Sequence, residues 1–119
     1  MAKIVEFDLD GTLTIDNDWN VRTGTECYRR RKPDLHAIDL VKGAVEKDWT
    51  VIIRTGRKEE HRALTVEWLA ANQVPYHFLF MNKPLCTYRI DDVNITKQAF
   101  RNVLLEKSVE KTEKENPSD

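Results

Sequence analysis

The sequence predicts an α/β domain with a mainly parallel sheet, and three observations lead to this prediction. Short β-branched segments alternate along the chain with longer segments of helical periodicity. No internal repeat interrupts the alternation. The 119 residues suffice for one core, and 40% hydrophobic with 33% charged residues is typical of a globular chain. We therefore expect one domain over residues 1–106, followed by a charged, disordered tail over 107–119.

The first half of the chain is predicted to hold two strands and one helix. Residues 3–9 are predicted as the first strand, and Thr50–Arg54 as the second because it is short and β-branched. Asp34 is suited to cap a helix that runs to about Lys47. The apolar residues of this helix recur at helical spacing, at Leu35, Ile38, Val41 and Val45.

The second half is predicted to hold two helices and two shorter strands. A helix is expected over about 58–72, and a strand follows over 76–81. A short fourth strand is predicted over 88–90, and a last helix over about 96–107. The inward residues of the two helices are predicted to be Leu64, Trp68 and Leu69 in one, and Phe100, Val103 and Leu104 in the other.

Composition excludes several classes of protein. The formal net charge of -1 gives the chain as a whole no attraction to nucleic acid. No apolar run reaches the roughly 18 residues that cross a bilayer. The first residues lack the pattern of a signal peptide, so we expect a cytoplasmic protein without membrane contact. The two cysteines show no spacing typical of a zinc site.

The end of the first predicted strand carries two acidic residues, in Asp8-Leu9-Asp10-Gly11-Thr12. Ligands of parallel sheets bind at the carboxyl ends of the strands. Side chains two residues apart on an extended segment point the same way, so Asp8 and Asp10 could share one site. Gly11 permits a sharp turn out of the strand. If these two aspartates stood alone, we would interpret them as an acidic turn after a strand. Further motifs later in the chain favour a shared site instead.

The stretch from Asp8 to Thr14 resembles the first motif of the haloacid dehalogenase-like hydrolase superfamily. The resemblance implies a Rossmann-like three-layer sandwich with strand order 3-2-1-4. It also implies that Asp8 is the nucleophile that forms an aspartyl phosphate. Asp10 would act as general acid and then as general base. Gly11 and Thr12, in the same motif, are predicted to contact the substrate.

Two further motifs follow the second and third predicted strands. Thr55 matches the superfamily's second motif, in which a hydroxyl binds a phosphoryl oxygen. Gly56 and Arg57 are predicted to bind substrate, with Arg57 either holding a second phosphate or the ester portion, or lying exposed at a helix start. Lys83 matches the third motif, in which a lysine neutralises the charge on nucleophile and phosphoryl group.

An acidic pair, Asp91-Asp92, follows the fourth predicted strand and matches the fourth motif. Adjacent carboxylates repel one another unless a cation lies between them. The resemblance implies a Mg²⁺ site formed by Asp8, Asp10, Asp91 and Asp92, in which Asp10 contributes its backbone carbonyl. The sequence leaves open which residue of the acidic pair binds the metal directly.

The spacing of the motifs leaves no room for a cap domain, so the sequence resembles the capless class. Such open sites accept large substrates or are closed by a neighbouring subunit. The segment 15–33 is predicted to be an irregular insert near the site, with Trp19, Tyr28 and the basic run Arg29–Lys32. Its basic residues could attract polyanions, and an aromatic could stack on a base. A solvated loop is the alternative.

The leading hypothesis is a magnesium-dependent phosphomonoester hydrolase acting on a phosphorylated small molecule. The alternative substrate is a nucleotide or the 3′-phosphate end of a nucleic acid. A local likeness of residues 62–69 to the phosphatase domain of polynucleotide kinase-phosphatases accompanies this alternative. Within that stretch, Arg62 and Thr65 could be ordinary surface positions. Two further alternatives stay open: a phosphotransferase, and a binding module that turns over no substrate.

Overall fold

The computed structural model describes residues 3–15, 28, 30–84 and 95–113. Its contacts divide the chain into two units, residues 1–87 and 88–119. The first unit contains a sheet of three parallel strands in the order β1-β2-β3. These strands are Ile4–Asp8, Thr50–Arg54 and Phe78–Phe80. The predicted α/β class with a parallel sheet is confirmed.

The register of the strands brings their carboxyl ends to one edge of the sheet. Asp8 lies beside Arg54, and Arg54 lies beside Phe80. The order agrees with the first three positions of the predicted 3-2-1-4. The fourth predicted strand, over 88–90, falls outside the described residues, so its place stays a prediction, as does the three-layer arrangement.

One face of the sheet carries the core. Residues alternate between the two faces of a strand, and the buried set is Phe7, Val51, Ile53 and Leu79. The opposite face is partly open, since Ile4 and Phe78 are both more than half exposed. Arg54 on that face pairs with Glu6 and lies over the ring of Phe80. The parallel strands are therefore amphipathic rather than apolar on both sides.

The first helix, α1, spans Leu35–Glu46 and packs against β2. Asp34 caps it as predicted, because its carboxylate accepts the Ala37 N–H at 3.1 Å. Leu35, one of the four residues at the predicted helical spacing, does not share the buried face and is 71% exposed. The centre of the buried face lies roughly 150° around the helix from this residue, at 100° per residue. The buried residues of α1 are Ala37, Ile38, Leu40, Val41 and Ala44.

The second helix, α2, spans Arg62–Ala71 and follows one turn of 3₁₀ helix at Glu59–His61. It begins later than the predicted 58, so it starts six residues beyond Gly56. Arg62 bonds both Glu59 and the Leu79 carbonyl, and its hydrogen bond lowers the pKa of Glu59. Residues 55–77 hold only this turn and helix between β2 and β3, which leaves no cap there.

The third helix, α3, spans Lys97–Glu113 and belongs to the second unit. Phe100 and Leu104 are buried, as predicted, whereas Val103 is half-buried. The helix runs beyond its predicted end near residue 107, which carries it into the predicted tail. The division into residues 1–106 and 107–119 stays a prediction. No helix in the described part of the chain combines the length and apolarity needed to cross a membrane.

Candidate active site

Asp8, the last residue of β1, forms an ion pair with Lys83. The Lys83 Nζ donates to Asp8 Oδ1 at 3.2 Å. The Asp8 side chain is 45% exposed and that of Lys83 is 19% exposed. A carboxylate at the edge of the sheet is thus open to solvent on one side and neutralised on the other. The structure brings together the predicted nucleophile and the predicted lysine.

Main-chain hydrogen bonds join the segments that follow β2 and β3. Thr55 donates its N–H to the Phe80 carbonyl at 2.9 Å, and its own carbonyl accepts the Lys83 N–H at 2.9 Å. The Asn82 N–H donates to the Arg57 carbonyl at 2.8 Å, and Asn82 has a positive φ of 63°. These bonds explain how a residue after β3 reaches Asp8 across the width of β2.

Thr55 is buried at the start of the segment after β2. Its hydroxyl accepts the Arg57 N–H at 3.1 Å and keeps its own proton to donate. Gly56, between these two residues, is half-buried. Thr55 lies one residue past Arg54, which is beside Asp8 in the sheet. Thr55 and Gly56 therefore lie at the same sheet edge as Asp8, and their predicted roles toward a phosphoryl group stay predictions.

The chain leaves β1 through a tight turn. Gly11 has a φ of 88°, a region that glycine adopts without steric cost. Its N–H donates to the Thr14 hydroxyl at 2.9 Å. The Leu9 carbonyl accepts the N–H groups of Thr12 at 3.1 Å and Leu13 at 2.8 Å. The main-chain N–H of Thr12 is therefore used within the turn, and contact of Gly11 and Thr12 with substrate stays a prediction.

Asp10 is held by Arg57 through two parallel hydrogen bonds. The Arg57 Nε donates to Oδ2 at 3.1 Å, and Nη2 donates to Oδ1 at 2.7 Å. The Arg57 side chain is 2% exposed and that of Asp10 is 10% exposed. This two-point pairing is the geometry that guanidinium and carboxylate groups prefer. Asp8 and Asp10, two residues apart, thus have different cationic partners, Lys83 and Arg57.

The burial of Arg57 contradicts one of the two interpretations offered by the sequence. Arg57 is not an exposed helix-start residue, since it is buried. Its Nη1 donates to the Thr65 hydroxyl at 3.1 Å. Its guanidinium carbon lies 4.1 Å from the centre of the Tyr28 ring. Contact of Arg57 with substrate stays a prediction, and the groups it bonds in the structure belong to the protein itself.

The basic run is not uniformly solvated, because Arg31 is buried. Its Nε lies 3.7 Å from Asp10 Oδ1, and its carbonyl accepts the Trp68 indole N–H at 2.9 Å. Arg30 and Lys32 are exposed. Arg29 and Trp19, also named in the predicted insert, lie outside the described residues. Of the three residues of this run that the structure describes, Arg31 therefore lies in the interior, where it cannot face a polyanion.

The two remaining predicted metal ligands, Asp91 and Asp92, lie outside the described residues. Among residues 3–15, 28, 30–84 and 95–113, no group of three or more His, Cys, Asp or Glu side chains could hold a metal ion. Asp8 contributes an exposed carboxylate, a hard oxygen ligand suited to Mg²⁺. The carboxylate of Asp10 is taken by Arg57, which leaves its main-chain oxygen as the atom that fits the predicted metal contact.

Sequence reasoning missed the residues around Arg57. The sequence left open that Thr65 is an ordinary surface position, yet Thr65 is fully buried and bonds Arg57. The side chain of Tyr28 packs on Arg57 rather than standing apart as a stacking surface. A helix-face analysis could have found Thr65, since it lies three residues before the buried Trp68 and four before the buried Leu69.

Comparisons with known proteins identify similar folds. No family model matches the chain, and no curated protein matches its sequence. A crystal structure of a target protein from Vibrio cholerae has 26% identity and a TM-score of 0.66, covering 89% of this chain and 98% of that one. A chain in the structure of the Pnkp1/Rnl/Hen1 complex has 26% identity and a TM-score of 0.58, covering 84% of this chain and 33% of that one.

A chain in the structure of the Pnkp1/Rnl/Hen1 RNA repair complex has 22% identity and a TM-score of 0.55. The match covers 89% of this chain and 31% of that chain, and at this identity it shows the fold alone. The present chain thus spans about a third of the length of both matched complex chains. It shares an α/β fold with the Vibrio cholerae protein and with part of a chain from an RNA repair complex.

Proposed function

We propose that the chain is a magnesium-dependent phosphomonoester hydrolase of the haloacid dehalogenase-like superfamily. The observation that supports this most is the pair formed by Asp8 and Lys83 at the carboxyl edge of the sheet. An exposed carboxylate backed by an ammonium group can approach a phosphate dianion without uncompensated repulsion. The buried Thr55 beside this pair supports the same proposal, since it supplies a hydroxyl donor at the same edge.

The reaction has two steps. A carboxylate oxygen of Asp8 attacks phosphorus, the ester P–O bond breaks, and the leaving oxygen takes a proton from Asp10. Water then attacks the phosphorus of the aspartyl phosphate while Asp10 takes a proton from that water. The P–O bond to Asp8 breaks, which releases inorganic phosphate and restores both carboxyl groups. Lys83 balances the charge at Asp8 throughout.

Mg²⁺ is the proposed cofactor, held by the Asp8 carboxylate, the main-chain oxygen of Asp10, and the pair Asp91 and Asp92. A bound magnesium ion offsets the negative charge that collects between carboxylate and phosphate. Both oxygens of the Asp10 carboxylate accept hydrogen bonds from Arg57, so the main-chain oxygen of Asp10 is the atom proposed for the metal.

Replacement of Asp8 tests the proposed function. We expect Asp8→Asn to lower magnesium-dependent phosphate release from p-nitrophenyl phosphate by at least about a thousandfold, because an amide cannot form the covalent intermediate. Asp39→Asn, on the exposed side of α1, is the matched control and should retain wild-type activity. Retained activity in Asp8→Asn would disprove the mechanism.

If the wild-type protein hydrolyses none of a broad panel of phosphate esters with Mg²⁺ present, a phosphate-binding or partner-binding module is favoured instead. A phosphotransferase would be recognised by transfer to an added alcohol acceptor in competition with water. Both outcomes are read in the same assay, since released phosphate and transferred phosphate are separable products.

A nucleotide or polynucleotide 3′-phosphatase is the second candidate. It is supported by the 26% identity to part of a chain in the Pnkp1/Rnl/Hen1 complex. The exposed Arg30 and Lys32 would supply contacts to a nucleic-acid backbone, whereas the buried Arg31 would not. Closure of the open site by a second subunit is a further part of the proposal.

Oligonucleotides with a 3′-phosphate, compared with 5′-phosphates and sugar phosphates, test this candidate. We expect the double substitution Arg30→Gln and Lys32→Gln to weaken kcat/KM on the 3′-phosphorylated oligonucleotide and to leave p-nitrophenyl phosphate unaffected. Lys47→Gln, an exposed lysine after α1, is the control for charge alone. Equal turnover of sugar phosphates and oligonucleotides would contradict a nucleic-acid substrate.

A further inference from the structure

We propose that Thr65 and Tyr28 are positioning residues that act through Arg57 to fix the orientation of the Asp10 carboxylate. The inference rests on the proposed function, in which Asp10 exchanges protons with the leaving group and with water. Neither Thr65 nor Tyr28 belongs to the predicted motifs. Both contact the guanidinium that holds Asp10.

The orientation of Asp10 depends on Arg57. Both carboxylate oxygens accept from the same guanidinium, one from Nε at 3.1 Å and one from Nη2 at 2.7 Å. A planar group bonded at two points sets the plane as well as the position of the carboxylate. The Arg31 Nε, 3.7 Å from Oδ1, adds positive charge at the same oxygen. Rotation of Asp10 therefore requires that Arg57 move or release it.

Arg57 is in turn fixed by two different contacts. The Thr65 hydroxyl accepts from Nη1 at 3.1 Å and donates to the His61 carbonyl at 2.9 Å. Because this hydroxyl has one proton, donation to His61 turns an oxygen lone pair toward Arg57. The Tyr28 ring covers the guanidinium at 4.1 Å, which restricts motion out of the guanidinium plane. The Tyr28 ring meets the His61 ring edge-on at 5.3 Å.

This arrangement has a consequence for the reaction. Proton transfer to a leaving group is sensitive to displacement, and a shift of 1 Å costs about a hundredfold in rate. A leaving group that departs readily needs that proton less than one that departs poorly. Loss of positioning should therefore slow the poor leaving group more, while general damage to the fold should slow both equally.

Phenyl phosphate and p-nitrophenyl phosphate provide this comparison. Phenol has a pKa of about 10, like the side chain of tyrosine, and nitrophenol is more acidic. The two esters have similar shapes, but the phenol leaving group of phenyl phosphate needs a proton more than nitrophenol does. Their kcat/KM values report the steps up to release of the phenol, in which Asp10 donates.

We expect Thr65→Val to lower kcat/KM about tenfold on phenyl phosphate and less than about threefold on p-nitrophenyl phosphate, as for one lost hydrogen bond. Thr65→Ser keeps the hydroxyl and should restore wild-type values. Tyr28→Phe keeps the ring and should match wild type, whereas Tyr28→Leu should repeat the effect of Thr65→Val. Asn72→Ala removes a hydrogen bond from the far end of α2, so it controls for loss of stability alone.

The outcomes are distinguishable. A larger loss on phenyl phosphate in Thr65→Val and Tyr28→Leu, with rescue by Thr65→Ser, supports the inference. Equal losses on both esters, or a failure of Thr65→Ser to rescue, overturn the inference and leave the proposed function standing. Retained phosphatase activity in Asp8→Asn overturns both the inference and the proposed function.

Discussion

Replacement of Asp10 by asparagine should destabilise the fold far more than the same replacement of Asp8. Asp10 is 10% exposed and its partner Arg57 is 2% exposed. The asparagine amide keeps one acceptor oxygen but turns an NH₂ group toward a guanidinium that can only donate. Removing one partner of a buried ion pair costs roughly 3–5 kcal/mol, because the other charge stays buried without compensation. We expect about 3 kcal/mol for Asp10→Asn, out of a total stability of roughly 5–15 kcal/mol for a domain.

Asp8→Asn provides the matched comparison within the same motif. Its ion pair with Lys83 has a similar nitrogen-to-oxygen distance, 3.2 Å, but the Asp8 side chain is 45% exposed. Water replaces the lost contact, so ion pairs of this kind contribute between zero and about 1 kcal/mol. Two chemically identical substitutions, two residues apart, should therefore differ by about 2 kcal/mol or more.

Urea unfolding followed by tryptophan fluorescence measures both free energies of unfolding. The experiment is done with a chelator present, so that metal binding to the folded state adds no stability. A double-mutant cycle with Arg57→Met should give a coupling energy of about 2 kcal/mol to Asp10. Arg57→Met should also recover part of the loss in the Asp10→Asn background, since it removes the buried charge. Equal free energies for Asp8→Asn and Asp10→Asn, within about 0.5 kcal/mol, would refute this reasoning.

The core and the lysine of the site give two further predictions. Ile53→Ala, at a fully buried position of β2, should lower the free energy of unfolding by about 2–4 kcal/mol. Ile4→Ala, at a position 62% exposed, should change the free energy of unfolding measured in urea only slightly. Equal losses of stability in Ile4→Ala and Ile53→Ala would contradict the observed difference between the two faces of the sheet. Lys83→Met should reduce kcat about a hundredfold or more on p-nitrophenyl phosphate while changing stability by less than about 1 kcal/mol. A loss confined to KM would contradict a role of Lys83 in the chemical step.

Local patterns predicted the parts of the fold that depend on neighbouring residues. The bounds of β2, Thr50–Arg54, agree with the prediction because a β-branched run and its flanking turn are features of the segment itself. The cap at Asp34 likewise depends on residues within one helical turn. Leu35 shows where such patterns fail, since helical spacing alone does not state which stripe of a helix faces the sheet.

The parallel arrangement of the strands explains why the sequence could predict which residues of the candidate site lie close together. Residues that follow parallel strands meet at one edge, and Asp8 and Lys83 do so at 3.2 Å. The partner of Asp10 could not be obtained in the same way. The sequence is compatible with an Arg57 that faces outward or one that turns toward Asp10. In the structure Arg57 contacts Thr65 from α2 and Tyr28 from the insert, and neither contact follows from the local sequence.

The burial of Arg31 has the same origin. Four consecutive basic residues have the pattern of a solvated surface, and nothing local distinguishes one of them. The distinguishing contacts come from Trp68 on α2, which bonds the Arg31 carbonyl, and from Asp10 after β1. Long-range contacts of this kind are invisible to any reading of periodicity.

The antiparallel bridge between Thr14 and Pro33 has a consequence for how this chain can be altered. The Ile15 N–H donates to the Lys32 carbonyl at 2.9 Å, and the Asp34 N–H donates to the Leu13 carbonyl at 2.8 Å. The end of the turn after β1 and the start of α1 are thus held side by side. Because these hydrogen bonds use main-chain atoms, side-chain substitutions at Ile15 and Lys32 should leave this link between β1 and α1 in place.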